Sequence, residues 1–418
     1  MNNKKLYNIY QDKVPLFLLL LTCIPGHTSY RIPTELHWLI IIILLYNFWK
    51  YVRYSKIELF SPQYKYITYF YIWALFGAIR GIFEAENYYD WRNLIIGFFG
   101  MSVVLCSYYY SNPDNIKRSM IVWFRYAIPI FVLFFSWMLP IDAYHYYLAP
   151  IYVFGIFTPL LETKWKWIMS LLMLLTLFGD IFARTQVLTT LASVCLALFL
   201  KFFKKKPLFM ESILKKVRLL FLITPILLAI LGISGQFNVF STSQDNFGGK
   251  NTKETSIGSN TVTDDVAGDT RTLLYVEVIK SAIDNNYYLF GRTLARGNDT
   301  SINAFIETWY ELTNRYERYA NEVGMLNIFT WLGLVGVLLY SLIFIIASYE
   351  GLYHSNNIYV KLLACLLSFH FLLSFIEDYP GFNIHTIAIW IIISMVISQE
   401  FRHMNDEQFR LWFKEIFN

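Results

Sequence analysis

Apolar positions along this chain come in continuous runs, not in alternating faces. Twelve such runs lie near residues 14–30, 36–51, 66–83, 93–110, 119–139, 143–161, 165–179, 183–200, 217–234, 324–347, 359–376 and 383–399. A helix of about 17–25 apolar residues is long enough to cross a bilayer. The pattern therefore predicts an all-α polytopic membrane protein of about twelve transmembrane helices, in which the seventh run is short and its separation from the eighth is the least regular. One long polar stretch interrupts the series. It divides the chain into a nine-span bundle over 1–234, a large loop over 235–323, three further spans over 324–400 and a tail over 401–418.

The loop itself has two parts. Residues 241–268, "STSQDNFGGKNTKETSIGSNTVTDDVAG", are rich in Ser, Thr, Asn, Gly and Asp and read as irregular chain. Residues 269–323 read as two or three short helices laid on one face of the bundle. Asp269 is a suitable N-cap, and Leu273, Val276, Ile279 and Ile283 give the helix after it an apolar face. Farther on, Phe305, Trp309, Leu312 and Tyr316 recur at helical spacing.

Composition and charge set the surroundings. Of 418 residues, 56% are hydrophobic and only 16% charged, against about 25% charged in soluble domains, which excludes a soluble protein or a nucleic-acid binder and makes the lipid bilayer the first partner. Lys and Arg number 22 in the segments on the side of the termini and 4 in the short connections opposite. Positive charge stays inside, so both termini are expected in the cytoplasm and the loop 235–323 outside. The run after "MNNKKLYNIYQDK" meets no small-residue cleavage site and reads as an uncleaved span. The basic stretch "KFFKKKPLFMESILKKVR" reads as facing anionic lipid. The tyrosine clusters 108–110 and 144–147 read as interfacial belts. Cys23, Cys106, Cys195 and Cys365 all sit in apolar runs without metal-ligand spacing.

Candidate chemistry gathers at the outer ends of the spans. Arg271 stands in the first turn of a helix, where the helix dipole is already positive. Either it pairs with Asp269 or another loop acid, or a bound anion completes the site, since helix starts bind phosphate and arginine adds forked donors. Arg184, in "GDIFARTQVLTTLASV", either pairs with Asp180 or is a second phosphate donor beside Thr185. Glu322 precedes the tenth run; it is either a dipole-favoured acid or, partly desolvated, a general base. Gly324, Gly333 and Gly336 below it would allow close helix packing. Arg292, Arg296, Arg315 and Arg318 either bind anions or form a solvated face. Arg80 and Arg92 have acids nearby for local pairing. Glu377, Asp378 and His385 in "FIEDYPGFNIH" could hold sugar hydroxyls. No internal repeat is present, which counts against duplicated transporter folds.

Three stretches taken in order resemble the bacterial O-antigen ligase and O-antigen/exopolysaccharide polymerase superfamily. They are "ARTQVLTTLASV" with Arg184, the helix opened by Arg271 leading into "NNYYLFGRTLARG", and "NEVGMLNIFTWLGLVG" with its polar pair and Gly-x-x-Gly ending. The resemblance spans about residues 165–347, and the span count and large outer loop extend it. Family ligases usually carry histidine where this chain has Glu322, which favours the polymerase branch. The glycine usual after the first arginine is Thr185 here.

The resemblance implies a GT-C-like fold. It also implies an enzyme of the bacterial cytoplasmic membrane that joins polyprenyl-pyrophosphate-linked oligosaccharides, with one as donor and another as acceptor. A chain-length regulator and a flippase are its implied partners. Arg184 and Arg271 would stabilise the leaving pyrophosphate and Glu322 would deprotonate the acceptor hydroxyl. Arg292, Arg296, Arg318 and Asp378 would bind substrate. No metal and no cofactor is expected, since no DxD-like motif lies where it would be needed. Attack opposite the leaving group would invert the anomeric centre. A ligase acting on lipid A core and a lipid-linked glycan transporter are the alternatives.

Overall fold

The structure, a computed structural model, describes residues 12–23, 34–135, 147–178, 184–233, 252–257, 260–265, 270–300, 310, 313–377 and 381–418. Each of the twelve predicted runs contains helix: α1 (Val14–Cys23), α2 (Thr34–Tyr54), α3 (Lys65–Glu84) and α4 (Tyr88–Tyr110); α5 (Pro113–Val122), which continues through π-helical turns to Phe135; α6 (Pro150–Gly155), α7 (Thr163–Phe178), α8 (Arg184–Phe203) and α9 (Pro207–Ile233); and, after the loop, α11 (Gly324–Tyr353), α12 (Ile358–Leu373) and α13 (Ile384–Ile397). The loop contributes α10 (Thr270–Asp284), and α14 (Gln399–His403) and α15 (Asp406–Lys414) close the chain. Five described helices are long and apolar enough to cross a membrane, namely Glu35–Tyr54, Lys65–Glu84, Tyr88–Tyr110, Thr185–Phe203 and Gly324–Tyr353. The architecture is that of an all-α membrane protein.

Asparagine sets several helix starts. The side chain of Asn87 accepts from the amides of Tyr89 and Asp90 at 2.9 and 3.0 Å, that of Asn357 from Val360 at 2.9 Å, and that of Asn383 from Thr386 at 2.8 Å. Each satisfies amides that have no partner within their own helix. The core lies along α12 and α13. Every residue of α13 is buried, as expected of a helix that is apolar on all sides.

Helix directions follow from contacts at the ends. Arg218, in the first half of α9, donates to Ser348 Oγ and the Ile345 carbonyl at 2.9 Å each, in the last third of α11. Lys361, near the start of α12, meets Glu211 near the start of α9 at 2.5 Å. So α9 and α12 run one way and α11 the other. The connection 204–206 turns α8 back against α9. The starts of α8 and α11 and the ends of α9 and α12 therefore share one end of the bundle, called the upper end here.

The long helix α11 is broken. Gly333 has φ +68° and ψ −167°, a conformation essentially reserved for glycine. The segment 287–292 fills the break. The Arg292 amide donates to the Thr330 carbonyl at 2.7 Å, the Leu334 amide to Tyr288 at 2.8 Å, and the Trp73 indole to Leu332 at 2.9 Å. Arg80 holds this plug from α3, donating to the carbonyls of Phe290 at 2.9 Å and Gly291 at 3.0 Å. Backbone groups freed within a membrane bundle need such partners.

Several sequence expectations are corrected here. Gly333 breaks a helix; it does not smooth a packing face. Arg80 caps distant carbonyls and does not pair with its neighbouring acids. Arg218 is buried against Tyr349 and Tyr353 and does not face lipid headgroups. Tyr108, Tyr109 and Tyr110 are core residues; the Tyr109 hydroxyl donates to Asp12 at 2.5 Å. Residues 252–257 and 260–265 form an antiparallel two-stranded hairpin where irregular chain was expected. Of the helix expected through Tyr316, Tyr310 and Thr313 are helical, but Tyr316 itself leads into a strand pair, Asn298–Asp299 with Glu317–Arg318; Phe305, Trp309 and Leu312 lie outside the described residues.

Candidate functional site at the upper end

The helix expected after Asp269 is present as α10, and Arg271 is its second residue. Leu274 and Val278 of α10 pack with Val323 and Leu326 in a separate apolar cluster, which fixes α10 onto the start of α11. The Tyr275 hydroxyl donates to the Phe375 carbonyl at 2.8 Å, past the end of α12. Arg271 lies one turn before Tyr275 on the same face, because residues four apart are neighbours on a helix. Arg184 is the first residue of α8, at the same end of the bundle. Neither helix carries an acid in its first turn. The side chains of Arg184 and Arg271, and all of Asp180, Asp269 and Asp378, lie outside the described residues.

Glu322 stands just before α11, next to the N-cap Val323. Its side chain is 62% exposed and 3.8 Å from the Arg318 guanidinium. The partial desolvation expected of a base is absent among the described residues, none of which covers this corner of the helix start. The turn itself is rigid. Asn321 donates its amide to Asn327 Oδ1 at 2.6 Å and accepts from Asn327 Nδ2 at 2.8 Å, and its side chain donates to Asn298 Oδ1 at 2.9 Å.

The four loop arginines whose side chains are described all lie within ion-pair distance of carboxylates. Arg292 meets Asp299 at 2.7 Å and Glu317 at 3.0 Å, and Arg296 donates Nε to Glu317 at 2.9 Å. Arg315 reaches across to Asp90 at 2.9 Å and also pairs with Glu86. Arg318 donates Nε to the Ala320 carbonyl at 3.1 Å, and its side chain is 9% exposed. Where anion binding was expected of Arg292 and Arg296, their donors serve the loop, tying the segment 292–296 to β3 (Asn298–Asp299) and β4 (Glu317–Arg318). Glu317 raises the hold of Arg296 on its proton above the ordinary guanidinium range. Its carboxylate is 12% exposed and serves both arginines. Glu317→Gln is therefore expected to leave Arg296 without a carboxylate and Arg292 with Asp299 alone, and to cost about 3 kcal/mol. Thermal unfolding of the purified protein measures this, and an unchanged midpoint would remove the pairing from the loop's stability.

A second polar group lies beneath the turn that follows α12. Glu377, 12% exposed, is 3.9 Å from Nε2 of His385, which is 2% exposed. Nδ1 of His385 is 3.4 Å from the Tyr152 hydroxyl. The Tyr152 ring rests against His370 with centroids 5.4 Å apart, and neither ring nitrogen of His370 has a hydrogen-bond partner among the described residues. The sequence marked Glu377 and His385 as sugar contacts. It gave no sign of Tyr152 and His370, which reach the group from other helices. Among the described residues, no three His, Cys, Asp or Glu side chains converge as metal ligands. The chain matches no family model, no curated protein and no solved structure, so this upper-end site is interpreted from its own geometry.

Proposed function

We propose that this chain is a membrane glycosyltransferase that polymerises polyprenyl-pyrophosphate-linked oligosaccharide repeats at the outer face of the bacterial cytoplasmic membrane. One observation carries the reading. Two helices begin at the same end of the bundle, each carries an arginine in its first turn, and neither has an acid there. A cation there opposes the helix dipole. A pyrophosphate reverses the balance, because it accepts from the free amides of both helix starts and from both guanidinium groups. The skew of Lys and Arg towards the opposite side puts this upper end outside, with both termini in the cytoplasm, and on that side twelve crossings leave the loop 235–323 over the site.

The chemistry follows from that position. Outside the cytoplasm the carrier pyrophosphate is the leaving group. Negative charge grows on it as the glycosidic carbon–oxygen bond breaks, and fixed cations stabilise that charge without reorganising. Arg184 and Arg271 supply it from a span and from the loop. The acceptor hydroxyl attacks from the opposite face and inverts the anomeric centre. The ion pairs of Arg292, Arg296 and Arg315 hold the loop together, and Arg318 and Asp378 are the sugar contacts in this reading.

Purified protein in lipid, given native lipid-linked repeats and no other acceptor, is expected to yield a ladder of rising glycan length. Transfer only after a lipid A core acceptor is added would make the protein a ligase. Repeats that cross the bilayer without transfer would make it a transporter.

A further inference from the structure

We infer that Glu377, with His385 behind it, is the general base that deprotonates the acceptor hydroxyl; this rests on the glycosyltransferase reading above. Two described acidic residues sit beside the start of α11, Glu322 and Glu377. Glu322 is 62% exposed, so water competes with an acceptor hydroxyl for its oxygens. Glu377 is 12% exposed and can be approached by a hydroxyl without an intervening water layer.

The backbone around Glu377 is fixed from three helices. Its amide donates to the Leu373 carbonyl at 2.8 Å, and its carbonyl accepts from Gly324, the first residue of α11, also at 2.8 Å. Two residues earlier, the Phe375 carbonyl accepts from Tyr275 of α10. Arg271 lies one turn before Tyr275 on the same face of α10. The backbone of Glu377 and the first turns of α10 are thus tied to the same turn after α12, as a base and a leaving-group site must be when attack and departure occur at one carbon.

His385 gives the proton a place to go. Its Nε2 is within ion-pair distance of Glu377, and the Tyr152 hydroxyl at Nδ1 sets the ring's orientation. The balance is complete with these groups. The acceptor O–H gives its proton to a Glu377 oxygen, and the acceptor oxygen bonds to the anomeric carbon. The bond from that carbon to the carrier oxygen breaks, and polyprenyl pyrophosphate leaves with the electron pair. The proton then passes from Glu377 to His385 and on to water. Tyr152 acts through His385 and is a positioning residue.

The test uses the intact protein in lipid nanodiscs with native lipid-linked repeats, measuring released polyprenyl pyrophosphate and glycan length. Glu377→Gln is expected to lower kcat by about 100- to 10,000-fold, with KM for the donor nearly unchanged, while Glu322→Gln keeps most of the wild-type rate. Azide is the second readout. It attacks without giving up a proton, so it should restore pyrophosphate release by Glu377→Gln and form a glycosyl azide of inverted configuration. His385→Gln should fall between the wild type and Glu377→Gln. Near-wild-type extension by Glu377→Gln, or a slow variant that azide does not restore, would overturn the assignment. A wild-type protein that makes no ladder would instead overturn the polymerase reading itself.

Discussion

Gly333→Ala is expected to destroy the folded protein. The residue sits in a backbone conformation that costs a side-chain-bearing residue about 1–3 kcal/mol. A Cβ at this position would also lie 2.3 Å from the Leu289 carbonyl oxygen and 2.4 Å from the Gly291 amide. Those atoms belong to the backbone plug that closes the break in α11, so they cannot rotate away. The combined cost is about 4–6 kcal/mol, comparable with the whole stability of an ordinary domain. Gly77→Ala is the contrast. Its nearest neighbour is the flexible end of Leu332, at 2.6 Å, and a small rotamer change relieves it. Yield in the membrane and the unfolding midpoint of the purified protein separate the two. Equal stability of Gly333→Ala and Gly77→Ala would mean that the break and its plug are not what hold the loop to the bundle.

Arg271→Ala and Arg184→Ala are each expected to slow chain extension by about 100- to 1,000-fold, the usual loss when one fixed donor to a developing anion is removed. The loss should appear in kcat, because the charge it answers grows only as the pyrophosphate departs. Lysine at either position should recover part of the rate, since it restores the charge but not the two parallel donors. Arg125→Ala should leave the rate unchanged. Arg125 is exposed in the π-helical turn Trp123–Ala127, away from both helix starts. Polymer of wild-type length and rate from both upper-end variants, with the proteins present in the membrane, would contradict the assignment. A large rise in KM with kcat unchanged would mean that the arginines bind the ground state and transition state equally.

Elements with local causes were legible in the chain. The twelve apolar runs each hold helix, because apolar length alone determines where such helices form. The start of α10 could be placed at Thr270 because Asp269 before it suits an N-cap and an apolar stripe follows from Leu273, and the opening of α11 at Gly324 was found from the start of its apolar run. What long-range contacts decide was not legible. Arg315 finds Asp90 from 225 residues away and Arg296 finds Glu317 from 21, so neither pairing has a sequence signature, and isolated arginines in a loop read as anion sites. Gly333 and Gly336 look like a small-residue packing motif, and only the plug 287–292 reveals Gly333 as a break. The tyrosines 108–110 look amphipathic in isolation, but α2 and α13 cover them in the folded bundle.

The candidate site divides along the same line. Arg184 and Arg271 were found because a cation at a helix start is a local anomaly. Glu322 drew attention for the equally local reason that it precedes a helix, but its exposure depends on what folds over it, and none of the described residues does. Glu377 and His385 are eight residues apart and could be noticed together. That Tyr152 and His370 lie beneath them depends on how α6, α12 and α13 cross, which sequence spacing does not encode.

Whether a pyrophosphate completes the two arginine-bearing helix starts can be read directly from carrier binding. Wild-type protein and the Arg184→Ala/Arg271→Ala double variant, each in nanodiscs of neutral lipid, would be titrated with polyprenyl pyrophosphate and, separately, with the unphosphorylated polyprenol. The expected result is saturable binding of the pyrophosphate to the wild type, weakened at least about 100-fold in the double variant, with equal and weak uptake of the polyprenol by both. Equal affinity of the two proteins for the pyrophosphate would contradict it, and the arginines would then have no part in seating the carrier.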